Sequence, residues 1–144
     1  KCFFCNSGAE ANEAMVKLAR LWGHEKGKYE VITLRNSFHG RTLAMCAATG
    51  QSKIQKGFDP LPLGFAYAAF NDTESVRAQV GERTVAVLVE AVQGEGGVIP
   101  ATTEFMKGVR ALNEKAQVFR VSARTGEGFE EVAKWLKHRA NAEV

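Results

Sequence analysis

Four consecutive residues, Phe38-His39-Gly40-Arg41, combine an aromatic ring, an imidazole, a glycine and a guanidinium group. An aromatic ring can cover one face of a planar cofactor, and an arginine can hold a carboxylate through two parallel hydrogen bonds. These residue types therefore predict a site for a flat, charged ligand. The alternative is structural: Phe38 would belong to the core, Arg41 would be a solvated residue in a helix's first turn, and His39 would be a hydrogen-bonded loop histidine.

A second candidate site lies upstream, where Ser7-Gly8-Ala9 follows a predicted strand and opens a predicted helix. Unpaired backbone N–H groups and the positive end of the helix dipole attract anions at such a position. Gly8 and Ala9 are small, so that a phosphate group could approach the backbone closely. An ordinary capped helix start has the same pattern.

A third candidate site lies downstream, where Glu90 and Glu95 surround a glycine-rich turn that follows an apolar strand. The α/β proteins build their sites at the carboxyl ends of parallel strands. A carboxylate there could orient the polar edge of a cofactor or pair with Arg41. Alternatively, both acids are solvated side chains on a tight turn.

Composition excludes several other classes of function. The chain has 144 residues, a net charge of +3 and dispersed lysines and arginines, which gives no basis for nucleic-acid or membrane binding. Cys2 and Cys5 form a C-x-x-C pair, but the chain has three cysteines in all. We therefore expect no metal site, no disulfide scaffold and a reducing cytoplasm. Because the chain begins with Lys1, we also expect a trimmed chain or a fragment.

Helical and extended segments alternate along the chain and predict the elements that position these residues. The expected strands are 2–5, 29–34, 65–69, 84–89 and 118–121. Residues 84–89 are apolar after the first residue, which predicts a central parallel strand buried on both faces. The alternation predicts an α/β fold with a partial, mostly parallel sheet and flanking helices, closed by a β-turn-α tail.

The predicted helices begin at recognisable caps. Ser7 and Glu10 form a capping box for the first helix, whose apolar face is expected to consist of Ala11, Met15, Leu18, Ala19 and Trp22. Three further helices are expected near 41–49, at 73–80 and after a cap at Thr102 or Thr103, and a last one follows the loop 122–128. The helix after Thr102 should turn Phe105, Met106, Val109 and Leu112 inward.

The three candidate sites occur in an order that resembles one family. The matching stretches are CNSGAEANEA, NSFHGRTLAMCAATGQ, GFDPLPLGF and LVEAVQGEGGVIPA. Through them, residues 1 to about 110 resemble the large domain of class III, fold-type I pyridoxal-phosphate aminotransferases of the acetylornithine and ornithine type. The resemblance implies pyridoxal 5′-phosphate as the cofactor and acetylornithine or a similar ω-amine, with 2-oxoglutarate, as the substrates. It also implies a cytoplasmic homodimer of amino-acid metabolism and arginine biosynthesis.

The resemblance implies a role for each residue that matches a family motif. Gly8 and Ala9 would hold the cofactor phosphate through backbone N–H groups, and Phe38 would stack on the pyridine ring. Arg41 would bind the substrate α-carboxylate, and Glu95 would help to distinguish an ω-amino from an α-amino substrate. Ala91 stands where the family usually has proline.

Two residues that the family uses in catalysis have no counterpart after the helix at 102–112. One is the aspartate that pairs with the pyridine nitrogen, which keeps the ring an effective electron sink. The other is the Schiff-base lysine. We therefore expect no catalytic residue in this chain and no transamination by the chain as written.

The tail resembles a different family. From about Leu112, the run LNEKAQVFRVSARTGEGFEEVAKWL resembles the carboxyl end of a P-loop GTPase of the hydrogenase/urease nickel-insertion type, in which 122–124 would contact guanine. The GTPase phosphate loop is absent, so we expect no GTP hydrolysis. We predict two regions, an aminotransferase large-domain fragment at 1–111 and a GTPase-like segment at 112–144. The alternatives are a non-catalytic chimeric folding unit and a GTPase-type accessory segment.

Overall fold

The computed structural model describes residues 3–113, 125–128, 130, 131, 133 and 134. The chain divides into two compact units, one covering Phe4–Leu112 and the other Lys1–Phe3 with Asn113–Val144. The helices of the first unit are α1 (Gly8–Gly23), α2 (Leu43–Ala48), α3 (Ser52–Gln55), α4 (Thr73–Gln79) and α5 (Thr103–Ala111). Its strands are β1 (Glu30–Leu34), β2 (Phe65–Ala68), β3 (Thr84–Val87), β4 (Val92–Gln93) and β5 (Ile99–Pro100). A short 3-10 turn, His24–Lys26, follows α1.

The main sheet is parallel and has the strand order β2-β1-β3. Val31 of β1 pairs with Phe65 of β2, and Ile32 pairs with Val87 of β3. The strands β4 and β5 form a separate antiparallel pair. The predicted α/β fold with a mostly parallel sheet and flanking helices is confirmed.

Two apolar clusters cover the two faces of the sheet, because successive side chains of a strand point to opposite sides. One cluster consists of Ile32, Leu34, Ala68, Val76 and Phe105, on the side of α4 and α5. The other consists of Val16, Val31, Met45 and Ala48, on the side of α1 and α2. The strand β1 supplies residues to both clusters and is therefore the centre of the core.

The prediction that 84–89 is the central strand was wrong for the described sheet. The strand β1 is central, and β3 lies at an edge with all four residues only partly buried. Val85 and Leu88 pack on one cluster, whereas Val87 and Val89 pack on the other. An apolar run thus indicates that both faces of a strand pack against other residues. It does not indicate whether the strand pairs with a neighbouring strand on both edges.

The first helix begins as predicted but faces the core with a different side. The Ser7 hydroxyl accepts a hydrogen bond from the Glu10 N–H, and Glu10 in turn accepts one from the Asn6 N–H. The predicted inner face was wrong, since Met15, Leu18 and Trp22 are 43%, 67% and 62% exposed. The buried positions are Val16 and Gly23. A Cβ at Gly23 would lie 2.9 Å from Val85 Cγ2, so close packing of α1 on β3 requires a glycine at this position.

The predicted buried strand at 2–5 was also wrong over its described residues. Residues 3–5 have no regular structure, and Phe3 and Phe4 are 72% and 91% exposed. Backbone N–H and C=O groups form a strand only where a neighbouring strand pairs with them. Here no described strand pairs with residues 3–5, and their apolar character alone did not bury them.

The remaining predictions fared unevenly. The capped helix after Thr102 is present as α5 and buries Phe105, but Met106 is 42% exposed, so its inward orientation was wrong. The predicted strand 118–121 and the segment 122–124 lie outside the described residues. Residues 130, 131, 133 and 134 are helical.

Within the described part of the chain, no helix is long and apolar enough to span a bilayer.

Candidate functional site

Three segments meet at the carboxyl edge of the parallel sheet. The loop after β1 carries Phe38 and Arg41, the segment after β3 carries Glu90 and Glu95, and the amino end of α1 carries Gly8. Because β1 and β3 are parallel, their carboxyl ends lie at the same edge. The geometry thus brings the three predicted sites to one end of the first unit.

The loop between β1 and α2 is fixed by hydrogen bonds on both sides of Phe38. Ser37 is buried, its hydroxyl accepts a hydrogen bond from the Gly50 N–H, and its carbonyl accepts one from Gln51 Nε2 at 2.9 Å. His39 donates its N–H to Thr49 Oγ1 at 2.9 Å, and its carbonyl accepts a hydrogen bond from Asn12 Nδ2 at 2.9 Å. The backbone of the site loop therefore has defined partners.

Gly40 allows this loop to lie directly against the amino end of α1. Its φ is +135°, and a Cβ at this position would come 2.6 Å from the Ala9 Cβ and 3.2 Å from the Met45 Cβ. No side chain fits at such distances. The Thr42 hydroxyl adds a second link by donating a hydrogen bond to the Glu13 carboxylate of α1.

The amino end of α1 has backbone donors that are free for a ligand. The N–H groups of Glu10 and Ala11 bond to Ser7. Those of Gly8 and Ala9 have no acceptor among the residues that the structure describes. A Cβ built at Gly8 would have nothing within 4 Å. An anion therefore has space to reach these donors, although the Glu10 carboxylate places a negative charge in the same turn.

Phe38 and Arg41 lie beside each other, and neither belongs to a helix. Arg41 precedes the α2 cap, Thr42, so the alternative that Arg41 lies in a helix's first turn was wrong. Its guanidinium carbon lies 5.5 Å from the centroid of the Phe38 ring. Phe38 is half-buried and Arg41 is exposed, so both remain accessible to a ligand.

The two acids of the downstream segment differ in their surroundings. Glu90 is half-buried, and its Oε2 accepts a hydrogen bond from the Phe38 N–H at 3.1 Å. Burial raises the pKa of Glu90, and the bond from Phe38 lowers it to a lesser extent. Glu95 is exposed. Among the described residues, neither acid forms an ion pair with Arg41.

Gln93 joins the glycine turn to the site loop. It is 1% exposed, and its Nε2 donates a hydrogen bond to the Arg35 carbonyl at 2.9 Å. A Cβ at the neighbouring Gly96 would lie 2.8 Å from the Asn36 carbonyl oxygen. The turn that carries Glu95 is therefore packed against the start of the loop that carries Phe38.

His39 is a buried part of the scaffold. It is 4% exposed, and burial lowers its pKa to about 4, so its imidazole is neutral at pH 7. Its Nε2 is buried without a hydrogen-bond partner among the described residues. The expectation of a loop histidine holds for its backbone, which forms both of its hydrogen bonds.

Three supporting residues were missed in the sequence: Asn12, Thr49 and Gln93. Thr49 is marked in the sequence as a polar residue after the small and apolar run 44–48, whereas Asn12 and Gln93 lie in segments that also contain glutamates, so that no such contrast marks them. Each reaches a backbone group of the site loop across at least ten positions.

A surface cavity of about 370 Å³ lies elsewhere, between residues 59–65, Ala47 and Tyr67. It shares no lining residue with the three converging segments. In the described part of the chain, no group of three or more His, Cys, Asp or Glu side chains is placed to hold a metal ion.

Comparison with known proteins identifies the family. The family model of the class-III aminotransferases matches residues 1–129, and thus extends beyond the boundary predicted near Leu112. The chain is 56% identical over 115 residues to the acetylornithine aminotransferase of Myxococcus xanthus, an alignment covering 78% of this chain and 29% of that protein. It is 48% identical over 124 residues to the succinylornithine transaminase of Yersinia enterocolitica, covering 80% and 30%.

A solved structure agrees with this assignment. The ornithine aminotransferase of Toxoplasma gondii, with PLP at partial occupancy in its active site, superposes with a TM-score of 0.71 at 30% identity. The superposition covers 80% of this chain and 28% of that protein. The chain thus spans about 30% of the length of these relatives. It belongs to the class III aminotransferase family.

Proposed function

We propose that this chain is the part of a pyridoxal-phosphate-dependent aminotransferase that holds the phosphate and ring of the cofactor and the carboxylate of the substrate. The observation that carries the proposal is the contact of Gly40 with Ala9, because it places the Phe38–Arg41 loop against the amino end of α1. Family membership gives the ligand. Pyridoxal 5′-phosphate, when bound, supplies the electron-withdrawing ring through which amino groups are transferred.

The phosphate is assigned to Gly8 and Ala9. Their N–H groups have no acceptor among the described residues, and a Cβ at Gly8 would have nothing within 4 Å. The positive end of the dipole of a 16-residue helix adds attraction for an anion. The negative charge of Glu10 opposes the phosphate, but this carboxylate is engaged by the Asn6 N–H at 2.6 Å.

The ring is assigned to Phe38 and the substrate carboxylate to Arg41. Phe38 is half-buried, and the hydrogen bonds of Ser37 and His39 hold the loop on both sides of it, so its backbone is fixed before a ligand arrives. A cation–π contact at an exposed site contributes about 0.5–1 kcal/mol. A charge-assisted bond to a carboxylate contributes about 1.5–3 kcal/mol, so a substrate carboxylate is the stronger partner of Arg41.

Glu95 is assigned to distinguishing an ω-amino from an α-amino substrate. It is exposed on a turn that Gln93 and Gly96 pack against the site loop. We propose acetylornithine or a similar ω-amine, with 2-oxoglutarate, as the substrates, in line with the names of the relatives. The aspartate and the lysine of the family pattern have no counterpart in these residues, so we propose that this chain binds the ligands without transaminating them.

We propose in addition that two copies of the chain associate, as the family resemblance implies. Met15, Leu18 and Trp22 leave an apolar face of α1 exposed, and such a face favours association. Sedimentation equilibrium of the wild-type chain and of Leu18→Glu tests this, because the charge should shift a dimer towards the monomer. A wild-type monomer at all concentrations would contradict it.

The binding proposal is tested by equilibrium dialysis with pyridoxamine 5′-phosphate, whose lack of an aldehyde prevents reaction with surface lysines. We expect it to bind about tenfold more tightly than pyridoxamine, because a favourable helix-end anion site contributes up to ~2 kcal/mol. Phe38→Leu should lower the affinity for both pyridoxamine 5′-phosphate and pyridoxamine, since it removes the aromatic surface on which the ring stacks. No binding at millimolar concentration would contradict the proposal.

The carboxylate assignment needs a separate measurement. N-acetylornithine is titrated against the complex of the chain with pyridoxamine 5′-phosphate, using wild type, Arg41→Ala and Arg110→Ala. Arg110 is an exposed arginine of α5 and serves as the matched control. We expect Arg41→Ala to weaken binding about tenfold or more and Arg110→Ala to leave it unchanged. Equal effects of the two substitutions would refute the role of Arg41.

A further inference from the structure

One hydrogen bond links the residue that carries the aromatic ring to a distant acid. The N–H of Phe38 donates to Glu90 Oε2 at 3.1 Å, across 52 positions of the chain. Its neighbours Ser37 and His39 bond to neutral groups of the segment 49–51 and of α1. Glu90 is thus the connection between Phe38 and the segment that follows β3.

The surroundings of Glu90 are unfavourable for a carboxylate whose only role is stability. It is half-buried, and the two ion pairs among the described residues, Arg77–Glu74 and Arg83–Glu30, do not include it. A partly buried charge without a cation loses solvation and gains little in return. The bond from Phe38 is its one compensation among the described residues. Because charged acceptors form stronger hydrogen bonds than neutral ones, this bond restrains Phe38 effectively.

Arg41 extends this arrangement. Its guanidinium carbon lies 5.5 Å from the Phe38 ring centroid, so a displacement of Phe38 also moves the surface on which Arg41 rests. Glu95 has no comparable contact, since it is exposed and no described hydrogen bond engages it. The two acids of the segment are therefore not equivalent.

We infer that Glu90 is a positioning residue: its carboxylate holds the Phe38 backbone, and through the ring the Arg41 guanidinium, in the geometry that receives a flat cofactor and a carboxylate. The inference rests on the proposed function for its ligand. It assigns Glu90 no contact with the reacting atoms and no proton transfer.

Two variants and one control separate this role from a general effect on folding. Glu90→Ala removes the acceptor, whereas Glu90→Gln retains an amide oxygen that accepts the same bond. The control is Glu30→Ala, because Glu30 is also a half-buried glutamate, at the start of β1, and it bonds to Arg83 at 2.9 Å. Each variant is compared with wild type in amide hydrogen exchange by NMR and in affinity for pyridoxamine 5′-phosphate.

We expect the exchange protection of the Phe38 amide to fall about tenfold or more in Glu90→Ala, because a hydrogen bond to a charged group is lost. The protection of the His39 amide, which bonds to Thr49, should not change. The dissociation constant of pyridoxamine 5′-phosphate should rise about tenfold in Glu90→Ala and less than about threefold in Glu90→Gln. Glu30→Ala should leave both quantities as in wild type.

Unchanged Phe38 protection in Glu90→Ala would overturn the inference, as would an equal loss at Phe38 and His39, which indicates general loosening. Unchanged ligand affinity in Glu90→Ala would overturn it while leaving the proposed function intact. If the wild-type chain binds no ligand, the proposed function fails. The selective loss of Phe38 protection then still decides whether Glu90 positions Phe38.

Discussion

Gly40 lies so close to Ala9 that a Cβ at position 40 would be 2.6 Å from the Ala9 Cβ. Gly40 has a φ of +135°, which glycine adopts far more readily than other residues. Space and backbone geometry therefore both require glycine here. The contact joins the two segments to which the ring and the phosphate of the cofactor are assigned.

Gly40→Ala should separate these two segments. We expect it to lower the free energy of unfolding by about 1–3 kcal/mol through overpacking and by a further ~1–3 kcal/mol through backbone strain. The control is Gly57→Ala, because Gly57 has a φ of +88° but nothing within 4 Å of its Cβ position. Urea titration measures both. An equal loss in the two variants would show that packing against Ala9 contributes nothing.

Gln93→Leu should destabilise the first unit while preserving side-chain volume. The substitution removes the part-buried hydrogen bond to the Arg35 carbonyl, at a cost of about 0.5–1.5 kcal/mol. Gln79→Leu, at an exposed position of α4, should change the free energy of unfolding by less than about 0.5 kcal/mol. Comparable urea midpoints for the two variants would argue against a stabilising role of the Gln93 hydrogen bond.

His39 should make stability depend on pH. The unfolded imidazole takes up a proton as the pH falls through about 6.5, whereas burial in the folded state lowers the pKa to about 4. The unfolded state therefore binds more protons between these values, and the free energy of unfolding falls as the pH falls from 6.5 to 4. The contribution of this group is at most about 3 kcal/mol.

Thermal unfolding of wild type and His39→Gln between pH 4 and pH 7 isolates this contribution. The comparison with a variant is necessary because the raised pKa of Glu90 acts with the opposite sign, stabilising the folded state as the pH falls. His39→Gln should flatten the acid side of the profile, and His24→Gln, at an exposed histidine, is the control. Parallel profiles for wild type and His39→Gln would contradict a buried neutral His39.

Val98 should be a site where substitution stabilises the protein. Its φ is +58° and it is 73% exposed, so a β-branched residue carries strain there without compensating burial. Val98→Asn should raise the free energy of unfolding by about 1 kcal/mol. Val80→Asn, at an exposed valine with a φ of −70°, should bring no gain. Equal results for the two would show that position 98 is not strained.

Local patterns in the sequence predicted much of the fold because they depend on neighbouring residues. The Ser7 cap, the cap at Thr102 and the strand that ends at Leu34 are all present. The short pair β4 and β5 was not predicted, since each of these strands has two residues and no periodicity.

Predictions failed where a choice depended on distant residues. Two sides of α1 are apolar or small, and hydrophobicity favoured the side with Met15, Leu18 and Trp22. In the structure, Val16 and Gly23 are the residues of α1 that are buried. At position 23, the close approach to Val85 leaves no room for a side chain. Tertiary packing overrode the periodic pattern in this helix.

The sequence by itself determined the class of fold, the alternation of the main helices and strands and the three motifs that identify the family, because these are encoded within short stretches such as 36–41. The tertiary structure alone decided that β1 is the central described strand, that Gly40 packs on Ala9 and that Glu90 bonds to Phe38 rather than to Arg41. Gly40 and Ala9 are 31 positions apart in the chain, and Glu90 and Phe38 are 52 positions apart. Sheet register and close packing produce these relationships, and no local pattern specifies either.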